Sequence, residues 1–154
     1  MEKKTLEIKA GLIMQKPSHE MFEAIVDPAK MSNYFISKGS GRIEEGKEII
    51  WKFPELDMEF PIQGRKIEKD KYLSFTWKDP EGNETLVEIT LLPRENNSTF
   101  VTVTEKSRNN DEAGINWLKS NTEGWANFLA CLKAWIEYGI NLRKGAFDLS
   151  QLPQ

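Results

Sequence analysis

Between residues 5 and 107 the chain mostly alternates apolar and polar positions, and beyond residue 120 the repeat lengthens to that of a helix. Residues 5–14, Thr-Leu-Glu-Ile-Lys-Ala-Gly-Leu-Ile-Met, alternate well enough for a first strand. Two short helices then interrupt the pattern. Pro17 suits a first helical position, or Ser18 an N-cap, with Met21, Phe22, Ile25 and Val26 as the buried side. Asp27 and Pro28 start the second helix, because a carboxylate accepts from orphan amides while the proline ring presets φ. Its apolar residues are Met31, Tyr34 and Phe35, and Gly39-Ser40-Gly41 ends it.

Period two follows, broken by turn chemistry. Ile49, Trp51 and Phe53 share one phase, Phe60 and Ile62 another, and Leu73, Phe75 and Trp77 alternate with Tyr72, Ser74 and Thr76. Residues 79–83, Asp-Pro-Glu-Gly-Asn, form a hairpin turn ahead of Val87, Ile89 and Leu91. Residues 95–98 turn the chain again before Val101 and Val103, and residues 109–114 read as a polar loop.

In the last segment Trp125, Phe128, Leu129, Leu132, Trp135, Ile136, Ile140 and Leu142 fall on one side at about 100° per residue, with Cys131 and Tyr138 at its edge. That arc is roughly 200° wide, more than a helix lying on one flat sheet needs. A concave partner is implied. The reading is therefore α+β: a curved antiparallel sheet of about six or seven strands wrapped on a long C-terminal helix, with two short helices after the first strand. Residues 1–154 form one domain, with the helix at about 120–144, stopped by Lys144 and Gly145, and a short tail at 145–154.

The inward phases converge on a candidate apolar ligand site between sheet and helix. Its residues are Phe35, Trp51, Phe53, Phe60, Ile62, Phe75, Trp77, Val87, Ile89, Glu105, Trp125, Leu129, Leu132 and Ile136. The same pattern suits a plainly packed core, since alternation does not separate core from cavity wall. Five tryptophans in one small domain tilt the reading toward some hollow, because bulky rings across a bent sheet rarely tile without gaps. Glu105 is the polar exception. It continues the phase of Val101 and Val103, so its carboxylate either anchors a ligand's donor or reaches water or Lys106 at the strand end.

Composition narrows the functional classes. Hydrophobic residues make up 39% and charged residues 29%, as in a soluble globular protein, and a net charge of −3 without a basic stripe gives nucleic acid nothing to bind. No apolar run approaches the ~20 residues of a membrane span, and the charged N-terminus carries no export signal, so a cytoplasmic location is expected. The lone Cys131 forbids an internal disulfide, and with His19 as the single histidine neither a transition-metal site nor a serine–histidine relay is available. No cofactor is expected. The carboxylate pairs Glu44/Glu45 and Glu55/Asp57 read as surface charge.

Several segments together resemble a known family. They are residues 22–28 (Phe-Glu-Ala-Ile-Val-Asp-Pro) after Pro17, the run from Gly64 to Trp77, Val87 to Leu91, Ser98 to Val103, and Gly124 to Leu132. The chain resembles the SRPBCC, or START-like helix-grip, superfamily, in its heat-shock-protein-ninety ATPase-activator-homologue branch. Tyr34-Phe35 departs from the tryptophan many relatives carry there. The resemblance implies a bent sheet gripping the C-terminal helix, often around an apolar cavity. Three functions follow as expectations: binding of a small hydrophobic or amphipathic molecule, a co-chaperone-like interaction module, or a cyclase- or aromatase-like enzyme with Glu105 as candidate acid and Tyr34 or Tyr72 behind it. No acid–base pair stands out, so no catalytic set is assigned. The expected partners are a small apolar molecule and, by analogy alone, a chaperone, with the protein a monomer or homodimer.

Overall fold

The computed structural model describes residues 4–79 and 81–147. Strand β1 (Thr5–Met14) leads into helices α1 (Ser18–Val26) and α2 (Pro28–Met31). Strands β2 (Lys38–Gly39), β3 (Glu48–Lys52), β4 (Glu59–Glu68), β5 (Tyr72–Lys78), β6 (Glu84–Arg94) and β7 (Ser98–Asn109) follow, and helix α3 (Glu112–Tyr138) closes the order. All seven strands join one antiparallel sheet in the order β1-β7-β6-β5-β4-β3-β2.

Each element forms for a local reason. Asp27 caps α2 by accepting from the Ala29 amide at 2.9 Å, ahead of Pro28. Pro17 itself takes the N-cap position of α1, which leaves the Ser18 hydroxyl free to meet Thr99 Oγ1 at 3.2 Å. The sheet bends at two register shifts, Leu6/Glu7 and Gly64/Ile67. The second is satisfied by Ser74, whose hydroxyl accepts from the Lys66 amide at 3.0 Å and donates to the Lys66 carbonyl at 3.2 Å.

Helix α3 begins and ends earlier than its apolar repeat suggests. Asp111 accepts from the Gly114 amide at 2.8 Å and starts the helix inside the segment that reads as a polar loop. A Cβ on Gly114 would stand 1.9 Å from the Asn109 carbonyl oxygen, so only glycine fits that first turn. At the other end Gly139 adopts φ 69°, and its amide bonds back to Trp135, closing the helix well before Gly145. Ile140 and Leu142 therefore leave the helix and are about half exposed, and Tyr138 is exposed too. Of the expected tail, residues 148–154 lie outside the described residues.

Helix α3 packs along β1 and is fastened to it by polar groups. Lys133 donates to the Ile13 carbonyl and to Glu137, which in turn accepts from the Gln15 amide at 3.0 Å. Among the described residues no helix is long and apolar enough to cross a membrane.

Candidate functional site

Every predicted inward residue reaches the space between sheet and α3, though not to the same depth. Phe35, Trp51, Ile62, Phe75, Val87, Ile89, Trp125, Leu129 and Leu132 are buried in the core, and Phe53, Phe60, Trp77 and Ile136 pack against it partly exposed. The rings form one connected chain. Phe53 meets Phe35 at a centroid distance of 5.1 Å, Phe35 meets Phe128 at 4.7 Å and Trp51 at 5.6 Å, and Trp51 reaches Trp77 at 6.1 Å. Trp77 then leans on Trp125 at 5.7 Å. Most of these pairs are edge-to-face, the arrangement that ring quadrupoles favour.

The rings fill the hollow. What remains is a set of interstices bordered by Phe35, Trp51, Phe75, Ile89, Trp125 and Phe128, with Ile25, Met31 and Ile43 from the α1–β3 region, and a water-sized sphere finds no room there. The wide helical arc is met by side chains and not by open space.

Glu105 is 1% exposed, deep between sheet and helix, and is neither wet nor paired with a lysine. Lys106, its chain neighbour, pairs with Glu88 instead. Glu105 faces Val87 across the β6–β7 ladder, which places Thr85 two residues along on the same face, and Thr85 lies opposite Trp77 on β5. One Glu105 oxygen accepts from Trp77 Nε1 at 2.9 Å and Thr85 Oγ1 at 2.5 Å. The other accepts from Trp125 Nε1 at 2.8 Å and Asn121 Nδ2 at 3.1 Å. A carboxylate offers about four lone-pair positions, and four donors use them. The cluster ties β5, β6, β7 and α3 together and leaves no acceptor for a guest.

Trp51 has the opposite condition. It is 1% exposed, borders the interstices, and its Nε1 finds no acceptor among the described residues. A buried donor left without a partner costs about 1–3 kcal/mol. The ring faces around it are weak acceptors at best.

Sequence reasoning missed the closure of this end. Glu55 reads as surface charge, yet its side chain is only 8% exposed and makes a paired contact with Arg143 beyond α3, at 2.7 and 3.0 Å. The Arg143 guanidinium lies 5.5 Å from the ring centres of both Phe35 and Phe53. A polar strap thus covers the aromatic chain where it comes nearest the surface. Outside it lies an open cleft of ≈ 480 Å³ lined by Ser37, Lys52, Phe53, Pro54, Glu55, Leu56 and Asp57.

The other candidate groups hold structural bonds. Tyr34 is buried, its hydroxyl donates to the Ala24 carbonyl at 2.8 Å, and burial pushes the phenol well above its ordinary pKa. Tyr72 donates to Glu88 at 2.6 Å, and burial followed by that bond raises its pKa. Burial likewise raises the thiol of Cys131. His19 is largely exposed and meets Asp70 at 3.0 Å. Among the described residues no three His, Cys, Asp or Glu side chains are grouped to hold a metal ion.

Solved structures share this architecture. Protein SSP2350 from Staphylococcus saprophyticus is 31% identical over 90% of this chain and 96% of its own, with a TM-score of 0.78. The Aha1 dimer from Colwellia psychrerythraea aligns over 87% of this chain and 98% of its own at 20% identity and TM-score 0.74. DynU16, from the dynemicin biosynthetic locus, aligns over 92% of this chain and 50% of its own at 22% identity and TM-score 0.78. The last two likenesses, at that identity, speak for the fold alone. Among curated proteins none matches. Residues 15–137 match the family described as Activator of Hsp90 ATPase homolog 1-like protein. With that match over most of its length and the bent sheet gripping its last helix, the chain belongs to the Activator of Hsp90 ATPase homolog 1-like family, within the helix-grip superfamily.

Proposed function

We propose that the protein binds a small, flat, apolar molecule among the rings between sheet and α3. The observation that carries this reading is the unbroken aromatic chain from the surface cleft, under the Glu55–Arg143 strap, through Phe35 and Trp51 to Trp125. A flat guest exchanges ring–ring contacts for ring–guest contacts of the same geometry, so little dispersion energy is lost when the rings part. The hollow is filled in the closed state, and admission therefore requires Glu55 and Arg143 to separate and Phe35 and Phe53 to turn aside. That strap consists of two side chains on irregular segments outside the sheet and α3, so it can open without disturbing either.

The test is uptake of an uncharged apolar dye such as Nile red, together with native mass spectrometry of protein taken directly from its host. A saturable one-to-one complex is expected, with faster uptake for Glu55→Gln than for the wild type. A folded Glu55→Gln protein that takes up neither dye nor any co-purifying molecule would rule the reading out.

A second reading rests on the family description, which refers to activation of a chaperone ATPase. Its surface would be the exposed Tyr138, Ile140 and Leu142 at the end of α3. Stimulated ATP hydrolysis by the chaperone, abolished in Ile140→Asp, would support it. An unchanged rate with the wild-type protein would remove it.

A further inference from the structure

We propose that the indole N–H of Trp51 is the anchoring donor for the guest, and that the guest is an uncharged aromatic or polycyclic molecule carrying one hydrogen-bond acceptor, a ketone or ether oxygen or a ring nitrogen. The proposal rests on the reading that the interior admits a flat molecule, and it names the chemistry such a molecule must have. Of the three tryptophans in the aromatic chain, Trp77 and Trp125 both spend their N–H groups on Glu105, at 2.9 and 2.8 Å. Trp51 stands 6.1 Å from Trp77, centre to centre, and spends its N–H on nothing. The surrounding interstices exclude water, so water does not solvate that donor in the closed state. Its environment is rings: Phe35, Phe53, Phe75 and Trp77 stand at 70–86° to it and present faces or edges in place of oxygens.

A buried polar atom without a partner calls for an explanation, and a site that gains its partner on binding supplies one. The guest's charge follows from the same surroundings. Arg143, whose guanidinium lies over Phe35 and Phe53, is occupied by Glu55, and Glu105 has its acceptors filled, so a charged guest would be buried without a counter-ion.

The experiment uses two probes of equal shape, 2-acetylnaphthalene and 2-isopropenylnaphthalene, which differ in a carbonyl oxygen against a methylene group. Their affinities are measured by titration of the wild type and Trp51→Phe, alongside the indole N–H resonances of the wild type. The ketone should bind about tenfold tighter than the hydrocarbon, as one buried hydrogen bond would provide. It should also move one indole resonance downfield, that of Trp51, and Trp51→Phe should bring the ketone down to the hydrocarbon's affinity. Equal binding of the two probes by the wild type, or a ketone preference that survives in Trp51→Phe, would overturn the proposal while leaving apolar binding intact. Failure of both probes to bind would overturn the broader reading and this one with it. Should Trp51→Phe fold poorly, the wild-type resonances decide: a ketone complex in which no indole N–H shifts downfield is incompatible with the assignment.

Discussion

The two ends of the aromatic chain are alike in residue type and opposite in polar accounting. At one end Trp77 and Trp125 surround a buried carboxylate whose lone pairs are all taken. Toward the other, Trp51 holds a buried donor with no acceptor behind Phe35 and Phe53, the two rings that the Glu55–Arg143 strap covers. Burial and hydrophobicity do not tell these ends apart, since Trp51, Phe75, Trp125 and Phe128 are all sealed from solvent. What separates a finished core from a waiting site here is whether each polar atom already has its partner.

The contrast is broken most directly at Glu105. Glu105→Ala orphans two indoles, a hydroxyl and an amide at once, and we expect a loss of about 3–5 kcal/mol in denaturant unfolding. A loss below about 1 kcal/mol would mean that the cluster is not the keystone between sheet and α3.

A paired comparison sharpens it. Trp125→Phe and Trp51→Phe remove the same atoms from buried indoles, but the first breaks a bond to Glu105 and the second removes an unmet donor. Trp125→Phe should cost about 1–3 kcal/mol, while Trp51→Phe should stay within about 1 kcal/mol of wild type, the small cavity offset by relief of the buried N–H. Equal losses in the two variants would erase the distinction.

Much of this contrast lay within reach of the sequence, but only half of it was legible. The alternation of Val101, Val103 and Glu105 places the carboxylate inward, and the strand phases bring Trp51, Phe75 and Trp77 to one face. The identities of the four donors were out of reach, because Thr85, Trp77 and the α3 pair come together only through the order of strands in the sheet. Glu55 and Arg143 lie 88 positions apart and share no local signal, so Glu55 passes for surface charge. The ends of α3 failed for another reason. Residues 112–124 carry too few regularly spaced apolar side chains to announce a helix, and two glycines compete to end it. Gly139 and Gly145 both adopt positive φ, and the cation at Lys144 favours the wrong one.

The strap comes next in size. Arg143→Met keeps a stem to cover Phe35 and Phe53 but leaves Glu55 without its cation. We expect a loss of about 1–3 kcal/mol in stability together with faster hydrogen exchange at residues 53–57, and no change at Thr85 or Glu105. Faster exchange at both ends would mean that they open as one unit, and the comparison between them would lose its basis.

The smallest effects belong to acid. The Arg42 hydrogen bond holds the Glu23 carboxyl below its ordinary pKa, and the Tyr72 hydroxyl, followed by Lys106, does the same for Glu88. For Asp79 burial pushes upward, but the bonds from Asn83 and Glu81 and the charge of Arg108 outweigh it, and the net shift is downward. A carboxyl that is more acidic folded than unfolded stabilises the fold above the unfolded pKa of about 4. That contribution is lost as pH falls through the depressed folded values. All three groups are partly exposed, so each contributes below about 1 kcal/mol. None of their hydrogen bonds involves Trp51. Wild type and Trp51→Phe should therefore lose stability in parallel between pH 5 and pH 3, their difference constant within error. A difference that widens or closes with acid would couple the aromatic end to a titrating carboxyl, and the unmet indole would then no longer be an isolated feature of a neutral interior.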